Sequence, residues 1–307
     1  GYLLKHAPNV MGSATLLREA FDRAGLPQGL FGVLNVEPAG VSRAIADPRV
    51  AAVTVTGSVG AGSAIAAQAG AALKKCVLEL GGCDPFIVLA DADLDEAVKA
   101  ALLGRFQNTG QVCAAAKRLI VESSILPAFT ERFLAATRAL KVGDPQLDDT
   151  YIGPMARYDL RDELDGQVQA SIEQGAELLL GGHKLAGAGN FYAPTVLGNV
   201  QPGMTAFDQE LFGPVASIIE ARDAEHALAL ANDSEFGLSA TVWTADAELI
   251  EYFTERLETD AIFINGYGAS DARVGFGGIK KSGFGRELSH FGVREFCNAQ
   301  TVWLDRR

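Results

Sequence analysis

Apolar, β-branched runs alternate with Ala- and Leu-rich stretches along nearly the whole chain, and this alternation restricts the fold to an α/β class. Strands are predicted at 2–4, 31–36, 51–56, 75–80, 85–89, 117–121, 177–180, 214–220, 240–244 and 261–265. Helices are predicted between them at 14–24, 62–71, 93–103, 128–140, 160–174, 224–231 and 247–257. A last helix at 287–296 and a terminal strand at 301–304 complete the reading. No internal repeat or low-complexity linker interrupts the pattern. With 307 residues there is room for two domains and for cores that bury roughly 75% of the unfolded surface.

Charge narrows the partners. The 38 acidic and 26 basic residues leave a net charge of −12, which repels phosphate backbones and argues against nucleic acid as a ligand. No apolar run reaches the ~18–20 residues of a membrane span. Cys76, Cys83, Cys113 and Cys297 form neither a CxxC pair nor a Cys/His cluster with zinc spacing, so no metal site is expected. A catalytic role for one of them argues for a reducing cytoplasm over two disulfides. The opening Gly1-Tyr2-Leu3-Leu4-Lys5 has no signal-peptide pattern and reads as the middle of a longer chain.

Two glycine-containing turns carry the chemistry. One is Asn108-Thr109-Gly110-Gln111-Val112-Cys113, the other Leu78-Glu79-Leu80-Gly81-Gly82. Together they offer a sulfur to attack a carbonyl and a carboxylate to activate water. No His lies close in sequence to Cys113, which weakens a Cys-His hydrolase reading; His6, His183, His226 and His290 are scattered. Gly57-Ser58-Val59-Gly60-Ala61-Gly62 follows a strand and opens a helix, where free N–H groups and the dipole favour phosphate. It does not have the usual GxGxxG spacing, and a plain tight turn is the alternative.

These segments, with Glu210-Leu211-Phe212-Gly213-Pro214 and Phe276-Gly277-Gly278-Ile279-Lys280-Lys281-Ser282-Gly283, resemble the NAD(P)-dependent aldehyde dehydrogenase superfamily nearly end to end. The runs 110–118 and 265–273 are similar to a bacterial succinate-semialdehyde dehydrogenase subgroup. The resemblance implies a partial Rossmann-type cofactor domain at 1–81, a catalytic domain at 82–285, and a C-terminal helix and oligomerisation strand at 286–307. It implies a homodimer or homotetramer. It also implies further residues ahead of Lys5, including an oxyanion-stabilising Asn whose loss costs on the order of 10²–10³ in turnover.

By that resemblance, Cys113 attacks the aldehyde, the thiohemiacetal gives up hydride to NAD or NADP, and water activated by Glu79 hydrolyses the thioester. Glu287 resembles a second proton relay, with a helix-terminal acid as the alternative. Lys5 is placed on the adenosine ribose, Ser58 and Gly57 on the pyrophosphate turn, and Leu80 on the cofactor surface. Glu210 is placed on the nicotinamide ribose and Phe212 on its ring. Pro8 stands where many NAD-preferring members carry Glu, so a 2′-phosphate meets no carboxylate there. Arg273 either pairs with a remote substrate carboxylate, as succinate semialdehyde requires, or with Asp271. Two other functions stay open on sequence alone: a truncated homologue that binds dinucleotide or oligomerises without turnover, and a nicotinamide-independent thiol esterase.

Overall fold

Seven strands form the main sheet, in the order Ala261–Ile264, Ser239–Trp243, Asp84–Val88, Ala116–Glu122, Val215–Ala221, Thr195–Gly198, Glu177–Leu180. All neighbours run parallel except the edge strand Glu177–Leu180, which is antiparallel to Thr195–Gly198. Residues 1–305 are described by this computed structural model.

The central strands are apolar on both faces, as a parallel sheet covered by helices demands. Successive side chains leave a strand on opposite sides. Phe86, Val88, Leu119 and Val121 therefore join one core with Phe129 and Phe133 of helix Leu126–Arg138 and Ala97 and Ala101 of helix Leu94–Phe106. Ile87 and Ile120 join the other, with Leu164 and Val168 of helix Tyr158–Glu173, Leu228 of helix Ala224–Asn232 and Phe253 of helix Ala247–Arg256. This buries the N-terminal ends of Asp84–Val88 and Ala116–Glu122, at Asp84 and Ala116, beside the two motif turns, while the chain reaches the surface at Ala90 and Ser124 past their C-terminal ends.

The chain divides into two compact units, residues 1–53 with 64–76 and residues 54–63 with 77–307. In the first, Tyr2–Leu4 pairs in parallel with Phe31–Val33, and Phe31 stacks on both Tyr2 and Phe21, at 5.8 and 4.6 Å between ring centroids. Lys74 ties this unit's turn by donating to the Asp47 carbonyl at 2.5 Å and to that of Ile45.

Several expected boundaries move. The helix expected from Gly62 begins at Val59, because the Ser58 hydroxyl accepts the Ala61 N–H at 3.3 Å and starts it a turn earlier. Helix Pro38–Ala46 and strand Thr195–Gly198 were not expected. The last helix is Ser289–Glu295, not 287–296, because Leu288 and Ser289 take left-handed backbone (φ 59° and 49°) and hold Glu287 outside it. The terminal strand expected at 301–304 is not a strand here: those residues pair with no backbone ladder, which a strand requires, and Val302, Trp303 and Leu304 are exposed.

Candidate active site

Helix Leu94–Phe106 delivers the thiol turn. Asp93 caps it by accepting the Glu96 N–H at 3.2 Å, and Asp95 and Glu96 complement the dipole in its first turn. Past Phe106 the chain takes three consecutive left-handed residues, Asn108 (φ 52°), Thr109 (φ 58°) and Gly110 (φ 71°). For Asn and Thr this conformation is strained, so the surroundings must impose it. Thr109 donates its hydroxyl to the Gly153 carbonyl at 3.2 Å, and Asn108 its amide to the Gln111 carbonyl at 3.1 Å.

Arg105, fully buried at the end of that helix, is the larger restraint. Its guanidinium donates to the carbonyls of Val215 (2.5 Å), Leu211 (2.9 Å), Gly110 (3.4 Å) and Gly213. Burial lowers its pKa to about 10, and it stays charged at neutral pH. The thiol turn and the Glu210–Pro214 loop thus hang from one cation. They are also in direct contact, since a Cβ on Gly110 would lie 2.2 Å from the Gly213 carbonyl oxygen. Gly110→Ala therefore combines a left-handed alanine with a backbone clash, and we expect a loss of at least about 2 kcal/mol in urea unfolding. An unchanged midpoint would show that the two loops are not locked at this point.

Cys113 is partly buried. Burial raises its thiol pKa; Asp84 and Glu210 add to this, while Lys117 and the Ala114 backbone oppose it. Lys117 lies at the start of strand Ala116–Glu122 with its side chain 1% exposed. Its ammonium donates to the carbonyls of Val112 (3.0 Å) and Cys113 (2.6 Å) and pairs with Glu210 Oε1 at 3.1 Å. The same oxygen accepts the Gly82 N–H at 3.1 Å. Glycines permit this approach: a Cβ on Gly81 would sit 2.2 Å from Glu210 Oε2, and one on Gly82 would sit 2.7 Å from the Cys113 carbonyl. Phe212 is 36% exposed, with Lys117 Nζ 5.9 Å from its ring centroid.

Glu79 ends strand Lys75–Glu79, three residues before Gly82, a span of at most about 11 Å. It pairs with Gly283 in the antiparallel strand Gly283–Phe284 and is 3% exposed. Neither carboxylate oxygen has a protein hydrogen-bond partner. Burial first, then Glu287 and Asp260, raise its pKa against the opposing Arg286, to about 8. Glu287 faces this group from the Phe276–Glu287 bridge, with Thr54 donating to it at 3.4 Å. The charge of Glu287, the second proton-handling candidate, thus acts on Glu79.

The Gly57 N–H donates to the Glu79 carbonyl at 3.0 Å, which sets the exposed Ser58 turn next to the same strand end. Nothing lies within 4 Å of a Cβ position on Gly60, so the start of helix Val59–Ala71 is bare. Leu80 donates its N–H to the Ser282 carbonyl at 2.9 Å and packs its side chain on Gly62. An open glycine turn at a helix start, a partly exposed carboxylate and an exposed aromatic face suit a phosphorylated, hydroxylated, aromatic-ringed cofactor. Lys5 belongs to the first unit, where it is exposed just past strand Tyr2–Leu4. Arg273 makes a bidentate pair with Asp271, at 2.6 and 2.9 Å, on an exposed loop.

In comparison with known proteins, residues 1–302 match the aldehyde dehydrogenase family. The chain belongs to that family. Over 306 residues it is 69% identical to a succinate semialdehyde dehydrogenase (NAD(P)+) of Escherichia coli strain K12, and over 302 residues 49% identical to a succinate-semialdehyde dehydrogenase (NADP(+)) of Mycolicibacterium paratuberculosis. These alignments cover 100% and 98% of the chain but 66% and 64% of the relatives, so it spans just under two thirds of their length. A crystal structure of succinic semialdehyde dehydrogenase from Streptococcus pyogenes in complex with NADP+ superposes with a TM-score of 0.96 at 36% identity, covering 99% of this chain and 67% of that one. The aldehyde dehydrogenase fold is thereby shown. Among the described residues, no helix is long and apolar enough to cross a membrane.

Sequence reasoning passed over Lys117, Arg105 and Asp84. The signal for Lys117 was a Lys-Arg pair opening the otherwise apolar strand Ala116–Glu122. A charged pair in a buried strand calls for partners. Arg118 finds its own in the carbonyls of Cys83, Leu230 and Ala231.

Proposed function

We propose that this aldehyde dehydrogenase chain oxidises a small aldehyde to its carboxylic acid with NAD or NADP, the aldehyde being succinate semialdehyde and the nucleophile Cys113. What supports the reading most is the meeting of three motifs at one ion pair: Lys117 holds the Cys113 turn and the Glu210 loop, and Glu210 accepts the Gly82 N–H, with the unbonded carboxylate of Glu79 three residues from Gly82. The names of the relatives above supply the substrate and cofactor.

Cys113 adds as thiolate to the aldehyde carbon, forming a C–S bond and an alkoxide. A nicotinamide dinucleotide held there would supply the hydride acceptor for oxidation of this adduct to the thioester. Glu79 then takes a proton from water, the resulting hydroxide equivalent adds to the thioester, and the C–S bond breaks to release acid and thiolate. Glu287, whose charge acts on Glu79, passes that proton outward. Gly57, Ser58, Leu80, Glu210, Phe212 and Lys5 hold the cofactor; Oε1 of Glu210 is engaged, which leaves Oε2 for ribose hydroxyls. Arg273 binds the substrate's remote carboxylate after exchanging its pairing with Asp271. The working division is 1–81 for cofactor, 82–285 for chemistry and 286–307 for assembly into a cytoplasmic homodimer or homotetramer, which light scattering on the purified protein checks.

The experiment follows absorbance of the reduced nicotinamide with succinate semialdehyde and either cofactor, beside Cys113→Ala and beside an uncharged aldehyde of equal length. Signal lost in the variant and weakened with the uncharged aldehyde is the expected result. Signal that survives Cys113→Ala sinks the mechanism, and equal rates with both aldehydes sink the role of Arg273.

A further inference from the structure

We propose that Lys117 is a positioning residue for the Cys113 thiol: one buried ammonium, fixed between the nucleophile's own carbonyl and the Glu210 carboxylate, sets a positive charge beside the thiol that Glu210 tempers. The inference rests on the reading of Cys113 as the nucleophile.

An ammonium has three donors. Here all three are spent, on Val112 O, Cys113 O and Glu210 Oε1, at 3.0, 2.6 and 3.1 Å. A cation this deeply buried holds its charge only when it is compensated, and Glu210 does this directly. The second carboxylate in reach is Asp84, buried at the head of its strand and held by a hydrogen bond from Ser239. The charged groups acting on the thiol are therefore Lys117, Asp84 and Glu210, with the Ala114 backbone dipole. Two are anions and one is a cation. Lys117 alone among these side chains favours the thiolate, and Glu210 partly cancels it.

That balance gives the two partners opposite effects. Removing the ammonium leaves the thiol facing two carboxylates, so its ionisation moves to higher pH. Removing the Glu210 charge leaves Lys117 less neutralised, so ionisation moves to lower pH. A residue that merely held two loops together would not produce opposite signs, since breaking the link from either end would loosen the same turn.

The test measures the rate of Cys113 alkylation by iodoacetamide against pH, in the full chain without dinucleotide or aldehyde. Peptide mass spectrometry separates Cys113 from Cys76 and the exposed Cys297. In Lys117→Met the midpoint should rise by on the order of one pH unit. In Glu210→Gln it should fall, and Lys117→Arg should keep it near the parent value. Midpoints that move together, or do not move, overturn the proposal. If Lys117→Met fails to fold, Glu210→Gln decides alone: a midpoint that stays or rises overturns it. Because alkylation needs no cofactor, a chain that reduces no nicotinamide can still pass this test, and an active dehydrogenase can fail it.

Discussion

In Glu79→Gln, turnover should fall by about 10²–10⁴ while acylation of Cys113 persists. The substitution preserves shape in a buried pocket and removes only the group that accepts a proton from water. The acyl enzyme then accumulates, seen as one equivalent of reduced nicotinamide in a burst and as an acyl mass increment on the intact protein. Loss of the burst together with turnover would place Glu79 before acylation and overturn its assignment.

The same carboxyl sets a pH dependence. Its pKa is raised to about 8 by burial first and by Glu287 next. In the parent protein the hydrolytic step should climb about tenfold per pH unit below pH 8 and level above it. Stability should run the other way. The native state keeps a proton that the unfolded chain releases above its ordinary value of 4.5, so stability from this group is full below that pH and is lost as pH rises through about 8. Gln has no proton to lose, so Glu79→Gln should melt higher than the parent at pH 8 and alike at pH 4.

Arg105→Leu should cost roughly 3–5 kcal/mol in urea unfolding, among the largest effects of any single change here. Leu fills much of the space but leaves the carbonyls of Val215, Leu211, Gly213 and Gly110 buried without their donor. Each unsatisfied group costs about 1–3 kcal/mol, and the sum is less than additive because the loops relax together. Arg105→Lys should fall between, since a compact ammonium cannot span the four acceptors that a planar fork reaches. A loss under about 1 kcal/mol in Arg105→Leu would mean the loops are set by their glycines alone.

How much of this was legible in the sequence follows from range. The central strands Asp84–Val88, Ala116–Glu122 and Val215–Ala221 announce themselves through β-branched runs, because burial on both faces selects those residues locally. Cys113, Glu79 and Glu210 are readable because their chemistry sits inside glycine turns. Thr195–Gly198 is not, because Pro194 before it and Gly198-Asn199 at its end look like a loop, and pairing with Val215–Ala221 on one side and Glu177–Leu180 on the other makes it a strand. Helix Pro38–Ala46 is hidden by Gly40, although Pro38 in its first turn is a start signal. The Lys117-Arg118 pair in a buried strand signals that partners are needed, but neither it nor Arg105 reveals which ones. Their meaning lies in carbonyls and a carboxylate supplied from distant segments. Thr301–Leu304 has the composition of a strand, but composition does not provide a partner backbone.

The bare tail has an optical consequence. The chain contains two tryptophans, Trp303 at 86% exposure in that tail and Trp243 at 6% in the core, with its indole N–H bound to the Gly266 carbonyl at 2.9 Å. One fluorophore emits from water and the other from the protein interior. Quenching by iodide should therefore silence Trp303 first, and a blue shift confined to that quenchable fraction would report a surface closing over the tail while Trp243 keeps its emission as an internal standard for the folded core.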